Sequence, residues 1–399
     1  MTSGTVRLAD LTSLRVGGPA REVITASTRD EVLAAATEAW GAGDELFVLG
    51  GGSNVVFSDE GFDGTVLHVA TRGIAVLPAV SRAVSAMPAS DADRLRSLSR
   101  SLRPPQHREP VHLRVEAGED WDALVAYTVE RGWSGIEALS GVPGSCGAAP
   151  IQNIGAYGQE LGATLVAVEY LDRDSGTVSR IPASALQLGY RTSAFKQGRE
   201  GVVLAIEVVL QAPEQGKPPL SAPIAYAQLA DALGVPLGTR VPIRALRDAV
   251  LDLRRRKGMV LDPADPDSVS VGSFFTNPIV SESFARTLPT SAPRWPTTAD
   301  QPDIVSPLGA ELPSRPAPAA GPRVKLSAAW LIERSGVHRG FHLPGSRAHI
   351  STKHTLAIVN GGGATAEQVL ELARYIRNLV QLEFGVLLQP EPTLVGATL

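Results

Sequence analysis

The stretch LFVLGGGSNVVF, residues 46–57, decides how the first part of the chain is interpreted, because three consecutive glycines join two apolar segments. The apolar residues on either side predict two extended strands, and the glycines predict a turn between them. Backbone N–H groups between Gly50 and Asn54 can approach a phosphate without obstruction by side chains. The spacing is neither the G-x-G-x-x-G dinucleotide fingerprint nor a P-loop, so a purely structural turn is an equally open interpretation.

Helical and extended patterns alternate around this turn. Thr28 and Glu31 form a capping-box pattern at the start of a predicted helix, which ends near Gly41. Its apolar residues recur at helical spacing: Val32, Leu33, Ala36 and Trp40. A second cycle follows, with a predicted strand at 113–115 and a predicted helix over 121–131. This alternation favours a layered α/β or α+β fold over a helix bundle or a β-sandwich.

A second glycine-rich stretch, SGVPGSCGAAPIQNIGAYG at 140–158, follows that helix. So many small residues predict close approach of the backbone to something flat or charged. Cys146 lies within this stretch, and no histidine nearby in the sequence would activate its thiol. A small packing residue is therefore favoured over a reactive thiol.

The second half of the chain predicts further strands and two helices. A hairpin is predicted over 164–181 and a strand over 202–210. From Pro242 the apolar period becomes helical, which indicates that a new domain begins nearby. The last clear helix is predicted over 365–384, and a short strand at 386–388 is expected to return to the first domain.

Length and composition bound the class of protein. A chain of 399 residues, 44% hydrophobic and 20% charged, predicts two or three packed units of ordinary composition. No apolar run approaches the ~18 residues that cross a bilayer, and no secretory signal pattern is present, so a cytoplasmic protein without membrane association is expected. The single cysteine and seven scattered histidines predict neither a disulfide nor a metal site. The net charge of −4 disfavours nucleic acid as a partner.

Two stretches are poor in large apolar residues. Residues 79–110 are rich in Ser, Arg, Ala and Pro, and residues 286–323 carry repeated prolines. Both are predicted to be surface insertions, the first of them mobile, because such compositions cannot bury a core. Binding of a partner by the arginines of the first insertion is the less favoured alternative.

Four short motifs carry residues suited to anion chemistry. GYRTSAFK at 189–196 holds a guanidinium and an ammonium five positions apart, and RRRK at 254–257 lies at a predicted helix C-terminus. Solvated surface charges are the favoured interpretation of both motifs, for the second together with a favourable interaction with the helix dipole. VGSFFTNP at 271–278 fits neither a helical nor a strand period, which predicts a buried loop. QPEP at 389–392 holds a carboxylate between two prolines.

Taken in order along the chain, five motifs resemble those of the UDP-N-acetylenolpyruvoylglucosamine reductase (MurB) family: LGGGSNVV, GVPGSCGAAPIQNIGAYG, GYRTSAFK, GSFFTNP and LQPEP. The resemblance extends from Thr12 to Glu391, and the segment 223–229 looks like the tyrosine loop of the longer subtype of this family. It implies an α+β fold, with an FAD-binding unit of the vanillyl-alcohol-oxidase (PCMH) type in two lobes and an α+β substrate domain. The implied limits are a first lobe at 1–70, a second lobe at 71–240, a substrate domain at 241–385 and a C-terminal return at 386–399.

The same resemblance implies an enzyme that uses FAD and NADPH to reduce an enolpyruvyl UDP-N-acetylglucosamine to UDP-N-acetylmuramate in peptidoglycan synthesis, acting as a monomer on this small molecule. Ser273 would donate a proton, while Arg191 and Glu391 would stabilise the developing enol. The implied substrate-binding residues are Tyr190, Tyr226, Lys257 and Asn277. The residues implied to surround FAD are Arg15, Leu49, Gly50, Gly51, Gly52, Ser53, Asn54, Ser140, Gly141, Pro143, Gly144, Gly147, Ala148, Ile151, Gln152, Asn153, Gly155 and Ala156.

The chain also departs from the usual family pattern, with Thr192 where aspartate is frequent, Thr276 where lysine is frequent and Pro392 where an aliphatic residue is usual. Two alternative functions remain. Another flavin oxidoreductase of the same fold, acting on a small alcohol, would have no reason to keep the implied catalytic residues together. A non-catalytic sensor of nucleotide sugars would bind no flavin and would be colourless.

Overall fold

The computed structural model describes residues 6–78, 110–297 and 322–399. The insertion predicted over 79–110 lies outside the described residues apart from Pro110, which begins a strand. The first lobe contains β1 (Ala20–Ala26), α1 (Arg29–Gly41), β2 (Leu46–Leu49), β3 (Val55–Phe57) and β4 (Phe62–Val69). Strands β1, β4 and β2 form a parallel sheet in that order.

The glycine turn in this lobe connects strands of two different sheets. Strand β2 precedes it in the parallel sheet, whereas β3 leaves that sheet and pairs elsewhere. Both predicted strands and the helix before them are confirmed. The capping box of α1 is complete: Thr28 Oγ1 accepts from the Glu31 N–H at 3.3 Å, and Glu31 Oε2 accepts from the Thr28 N–H at 3.1 Å.

The second lobe is built on an antiparallel sheet of five strands in the order β10-β9-β11-β6-β5. Its elements are β5 (Ile74–Val76), β6 (Pro110–Glu116), α2 (Trp121–Glu130), β7 (Gly155–Ala156), β8 (Gln159–Glu160), β9 (Leu165–Asp172), β10 (Val178–Pro182) and β11 (Gly201–Gln211). The predicted hairpin is β9 and β10. Helix α1 of the first lobe packs through Val32 and Ala36 against Val202 and Leu204 of β11, so the two lobes share a core.

Two helices after this sheet pack against the second lobe. They are α3 (Ala227–Leu233) and α4 (Ile243–Arg256). Leu246 and Val250 of α4 pack in one cluster with Leu229 of α3 and Ala138 of the second lobe. Arg247 of α4 also makes a bidentate ion pair with Asp122 of α2. The domain limits remain a prediction. This packing favours placing α4 with the second lobe rather than at the start of the third unit.

The third unit holds two small antiparallel sheets and a helix of 19 residues. Its elements are β12 (Ser270–Ser273), β13 (Ile279–Ser281), α5 (Glu282–Ala285), β14 (Arg294–Thr297), β15 (Arg323–Leu326), α6 (Ala328–Arg334), β16 (Ala348–Ile350), β17 (Ala357–Asn360) and α7 (Ala366–Phe384). The sheet orders are β12-β17-β16 and β13-β15-β14. Leu14 and Val16 of the first lobe enter the core of this unit. The helix predicted over 365–384 is α7, with Thr365 as its N-cap.

The prediction of a surface loop over 286–323 fits the turns at 286–293 but is wrong for the strand residues Arg294–Thr297 and for Arg323. Leu288 and Ala292 are buried, and β14 pairs with β15 along its whole length. The pairing explains the error, because Trp295 and its neighbours satisfy their backbone groups in a sheet despite the nearby prolines. Residues 298–321 lie outside the described residues.

The strand predicted at 386–388 is also misplaced. Those residues make no ladder pairing, and Leu388 instead fills the core of the third unit. The last strand is β18 (Thr393–Val395), which pairs in parallel with β3 and so brings the chain end onto the first lobe. No helix in the described ranges has both the length and the apolar character needed to cross a membrane.

Candidate active site

A cavity of about 530 Å³ lies where the two lobes and the third unit meet. Its walls come from the glycine turn after β2, the glycine-rich loop after α2, the C-terminal end of α4, the end of β12 and the segment before β18. Five separate parts of the chain therefore line one space.

The glycines at the cavity wall are required because the two loops lie directly against each other. A Cβ on Gly50 would lie 2.3 Å from Ser145 Oγ, and one on Gly51 would lie 2.8 Å from the Gly144 Cα. Gly52 has a φ of +61°, and a Cβ there would lie 2.0 Å from the Leu11 carbonyl oxygen. The close approach that the sequence predicts is thus partly an approach of one loop to the other.

The same packing leaves a row of backbone N–H groups, in residues that line the cavity, without an acceptor among the described residues. The N–H groups of Gly51, Gly52, Ser53 and Asn54 donate to no acceptor in the parts of the chain that the structure describes. Successive free N–H groups in a turn form a concave binding site for anions. A dinucleotide cofactor carries a pyrophosphate that such a row can bind, so these residues fit FAD.

Arg191 reaches the cavity from a strained turn between β10 and β11. Its backbone has a φ of +56°, and its Nη2 donates to the Gly155 carbonyl oxygen at 2.6 Å. Its Nε lies 3.0 Å from Glu391 Oε1, but this N–H does not point at the carboxylate. The contact is therefore an ion pair without an aligned hydrogen bond at Nε, and a ligand carboxylate would offer the guanidinium a better acceptor.

Glu391 is held in place by backbone pairing with the segment that carries Ser273. The Glu391 N–H donates to the Phe274 carbonyl oxygen at 2.9 Å, and Phe275 forms a bridge with Pro390. Burial raises the pKa of the Glu391 carboxyl above its ordinary value, against the opposing positive charges of Arg191 and Lys196. The carboxyl is thus a desolvated group beside two cations.

Ser273 ends β12 and lines the cavity. The prediction of a buried segment here is confirmed for the two phenylalanines that follow it, whereas the expectation of a loop is wrong at its start, because Ser273 pairs with Ala357 of β17. The Ser273 Oγ lies 3.4 Å from His354 Nε2. The hydroxyl is therefore available to a ligand on one side and to an imidazole on the other.

Lys257, Tyr157 and Tyr226 form a further part of the cavity lining, the cationic wall. Lys257 Nζ donates to Gln228 Oε1 at 2.8 Å and lies 5.6 Å from the centroid of the Tyr157 ring. The rings of Tyr157 and Tyr226 meet edge to face with 5.6 Å between centroids. Burial, together with the positive charge of Arg254, lowers the pKa of Lys257. This wall therefore presents cations and aromatic edges to an anionic ligand.

The structure brings most, but not all, of the implied site residues together. Arg15 lines a separate depression near the start of α7, and Tyr190 and Asn277 line another behind Arg191. Asn277 Oδ1 accepts from the Ala328 N–H at 2.9 Å and so caps α6. Three further residues stabilise the loop from behind the cavity wall: Ser140, Gly141 and Asn153. The other implied residues line the cavity.

Three basic residues at the cavity, Lys196, His354 and Arg254, were not among the implied site residues, although the sequence had singled out the Lys196 ammonium as suited to an anion. Lys196 Nζ donates to the Glu391 backbone oxygen at 3.0 Å, and His354 approaches Ser273. Arg254 is buried, with Nε bonded to the Gly141 carbonyl oxygen at 3.1 Å and Nη2 to that of Met259 at 2.7 Å. The interpretation of the RRRK run as solvated charge is therefore wrong for its first arginine. The positive charge of the motif was the only signal available for it.

An α+β fold that places an N–H anion cradle beside buried cations and an ion-paired carboxylate defines a nucleotide-cofactor enzyme acting on an anionic ligand. Two family models match the chain: an FAD binding domain over residues 106–181, and the C-terminal domain of UDP-N-acetylenolpyruvoylglucosamine reductase over residues 263–395. The protein is thus an FAD-dependent oxidoreductase.

The relatives identify the family. A UDP-N-acetylenolpyruvoylglucosamine reductase of Leifsonia xyli is 55% identical over 98% of both chains, and one of Saccharopolyspora erythraea is 45% identical over 100% of this chain and 96% of its own. A crystal structure of UDP-N-acetylenolpyruvylglucosamine reductase from Thermus caldophilus has the same fold, with a TM-score of 0.58 at 24% identity over 98% of both chains. The chain belongs to the UDP-N-acetylenolpyruvoylglucosamine reductase family.

Proposed function

We propose that this protein reduces the enolpyruvyl group of UDP-N-acetylenolpyruvoylglucosamine to give UDP-N-acetylmuramate, with NADPH as reductant and FAD as cofactor, in peptidoglycan synthesis. The observation that carries the proposal is the convergence of Ser273, Arg191 and Glu391 on one cavity beside the N–H cradle. A small-alcohol oxidoreductase would need no such set of groups, and that alternative is not favoured by the family assignment.

Bound FAD would supply hydride transfer from NADPH to the enolpyruvyl double bond. The chain would then have to stabilise the negative charge that spreads from C2 to the substrate carboxylate. Arg191 is suited to this because its planar guanidinium binds a carboxylate through two hydrogen bonds. Its ion pair with Glu391 fixes its position, and the partial burial of Arg191 strengthens its attraction to the developing negative charge.

Ser273 is the proposed proton donor to C2. A serine hydroxyl is a weak acid in water, so its action requires placement against the carbon and support for the oxygen that loses the proton. The pairing of residues 274–276 with 389–391 holds this hydroxyl near the ion pair. Proton donation and charge stabilisation would thus act on the same atoms of the substrate.

The remaining implied residues divide into three proposed groups. Lys257 and Tyr226, at the cationic wall, are proposed to bind the substrate, and the cavity-lining residues of both glycine loops are proposed to bind FAD. Tyr190 and Asn277 keep a proposed supporting role beside Arg191, since Lys325 and Arg191 both lie within 5.5 Å of the Tyr190 ring centroid. Direct binding of FAD by Arg15 is the weakest of these assignments, because its side chain lines a different depression.

The cellular role follows from the reaction. We propose a cytoplasmic, monomeric enzyme whose only partners are its small-molecule substrates, without binding of nucleic acid or membrane, and which supports cell shape and division by supplying a peptidoglycan precursor. The proposed units remain two FAD-binding lobes and one substrate domain, followed by the C-terminal return.

The decisive experiment measures NADPH oxidation by the purified protein with and without the enolpyruvyl nucleotide sugar. Oxidation that depends on this substrate, by a protein with the visible absorption of bound flavin, is expected. Substrate-independent oxidation, or activity with small alcohols alone, would contradict the proposal. A colourless protein that binds the nucleotide sugar would instead support the sensor alternative.

A further inference from the structure

His354 is placed beside Ser273 by a tightly hydrogen-bonded turn. The turn joins β16 to β17, and its His354 N–H donates to Ser351 Oγ at 3.1 Å while the His354 carbonyl oxygen accepts from the Ala357 N–H at 3.1 Å. Ala357 is also the register partner of Ser273 in the neighbouring strand. The backbone of the sheet, rather than a flexible side chain alone, therefore sets the separation of 3.4 Å between His354 Nε2 and Ser273 Oγ.

The surroundings of His354 keep its ring neutral. Burial first, and then the positive charges of Lys257, Arg339 and Arg254, lower the pKa of His354 to about 4. A neutral imidazole has one N–H donor and one acceptor nitrogen. Uptake of a second proton would place another positive charge among these cations, so a role that passes through an imidazolium ion is unfavourable.

We propose that His354 is a positioning residue that donates a hydrogen bond from Nε2–H to the Ser273 Oγ. This inference rests on the proposed function, in which Ser273 is the proton donor. With the N–H of His354 occupying one lone pair of the oxygen, the hydroxyl hydrogen of Ser273 is turned away from the ring and towards the cavity.

The hydrogen bond gains strength during proton transfer. The Oγ–H bond of Ser273 breaks as the new C2–H bond of the product forms, and the electron pair of the broken bond remains on Oγ. The N–H of His354 then faces a developing alkoxide, and hydrogen bonds to charged groups are stronger than those to neutral ones. Water returns a proton to Oγ after the product leaves, so the cycle balances without a change in the charge of His354.

Two variants test this role. His354→Leu removes the donor at similar size, and His354→Gln retains an N–H donor at a similar distance from the backbone. The two half-reactions are followed by stopped-flow flavin absorbance: reduction by NADPH, and reoxidation by the enolpyruvyl substrate. In His354→Leu, reoxidation is expected to slow about 10- to 100-fold, the value of a hydrogen bond to a charged group, with kcat lowered more than KM rises. Reduction by NADPH is expected to stay unchanged, and His354→Gln is expected to recover most of the loss.

A double-mutant cycle with Ser273→Ala separates positioning from direct contact with substrate. If His354 acts through Ser273, adding His354→Leu to Ser273→Ala causes little further slowing of reoxidation. Equal slowing in both backgrounds would overturn the proposal, as would a Gln variant no faster than Leu or an effect confined to KM. Failure of the proposed function is distinguishable, because the unaltered protein itself would then show no reoxidation by the enolpyruvyl substrate.

Discussion

Lys257 offers the sharpest test of how the cavity binds an anionic ligand, and the perturbation is Lys257→Met. The ammonium lies at the end of α4, where it contacts Gln228 Oε1 and the Tyr157 ring. Methionine keeps most of the apolar stem and removes only the charge. The fold should therefore be preserved while the cationic wall loses one of its ligand-facing groups.

The magnitude follows from the contacts that the ammonium can make. A hydrogen bond between a charged donor and a phosphate oxygen contributes about 1.5–3 kcal/mol, which corresponds to about a 10- to 150-fold change in dissociation constant. Because the pKa of Lys257 is lowered by burial, its charge is lost at a lower pH than that of an ordinary lysine. As the pH is raised, the affinity of the unaltered protein for an anionic ligand should therefore begin to decline at a lower pH than it would if Lys257 were exposed.

The assay is calorimetric titration of the flavin-bound protein with UDP, together with KM for the enolpyruvyl substrate. Arg255→Met is the matched control, because Arg255 is on the same helix, is 57% exposed and pairs with Asp252 at 3.1 Å. Binding by the Lys257 variant within twofold of the unaltered protein would refute the reasoning. Equal weakening by the control would show a general charge effect instead of a contact.

Three further outcomes are expected. Ser273→Ala should lower turnover by about 10² to 10⁴ while the absorption of bound flavin stays unchanged, and loss of that absorption would instead indicate damage to the fold. Burial opposes ionisation of Asp122, but its hydrogen bonds with Arg247 and the Gly141 N–H hold its pKa below the ordinary value. Asp122→Asn should therefore reduce the free energy of unfolding by about 2 kcal/mol at neutral pH. The difference should disappear as the pH falls below the ordinary carboxyl range and through the lowered pKa of Asp122 in the folded protein, and a difference that persists in denaturant titrations at that lower pH would contradict the assignment. Burial raises the pKa of Cys146 well above its ordinary value, so a thiol reagent should label the native protein slowly and the denatured protein fully, whereas rapid native labelling would contradict its packing role.

Local patterns predicted the elements of the fold well where the sequence repeats at one clear period. The capping box before α1 and the apolar runs of β9 and β11 depend on neighbours close in sequence, and these elements are found as predicted. The misplaced final strand shows the limit. Leu388 belongs to a short apolar run that is typical of a strand, but its side chain packs in the core of the third unit. The strand that pairs with β3 is instead Thr393–Val395.

The residues of the site likewise fall into those that the sequence named and those that only the tertiary structure revealed. The motifs alone, through their resemblance to a family, named Ser273, Arg191 and Glu391, because those groups stand in short stretches of unusual composition. His354 stands in no such stretch, and Arg254 stands in a basic run that was interpreted as solvated charge. They join the site only because a sheet register and a helix end bring them to the cavity, where burial changes what their charges can do. Sequence therefore determined the chemistry that the chain can offer. The tertiary structure decided which groups meet and in which protonation state, because distance and desolvation are set by contacts between residues that are remote along the chain.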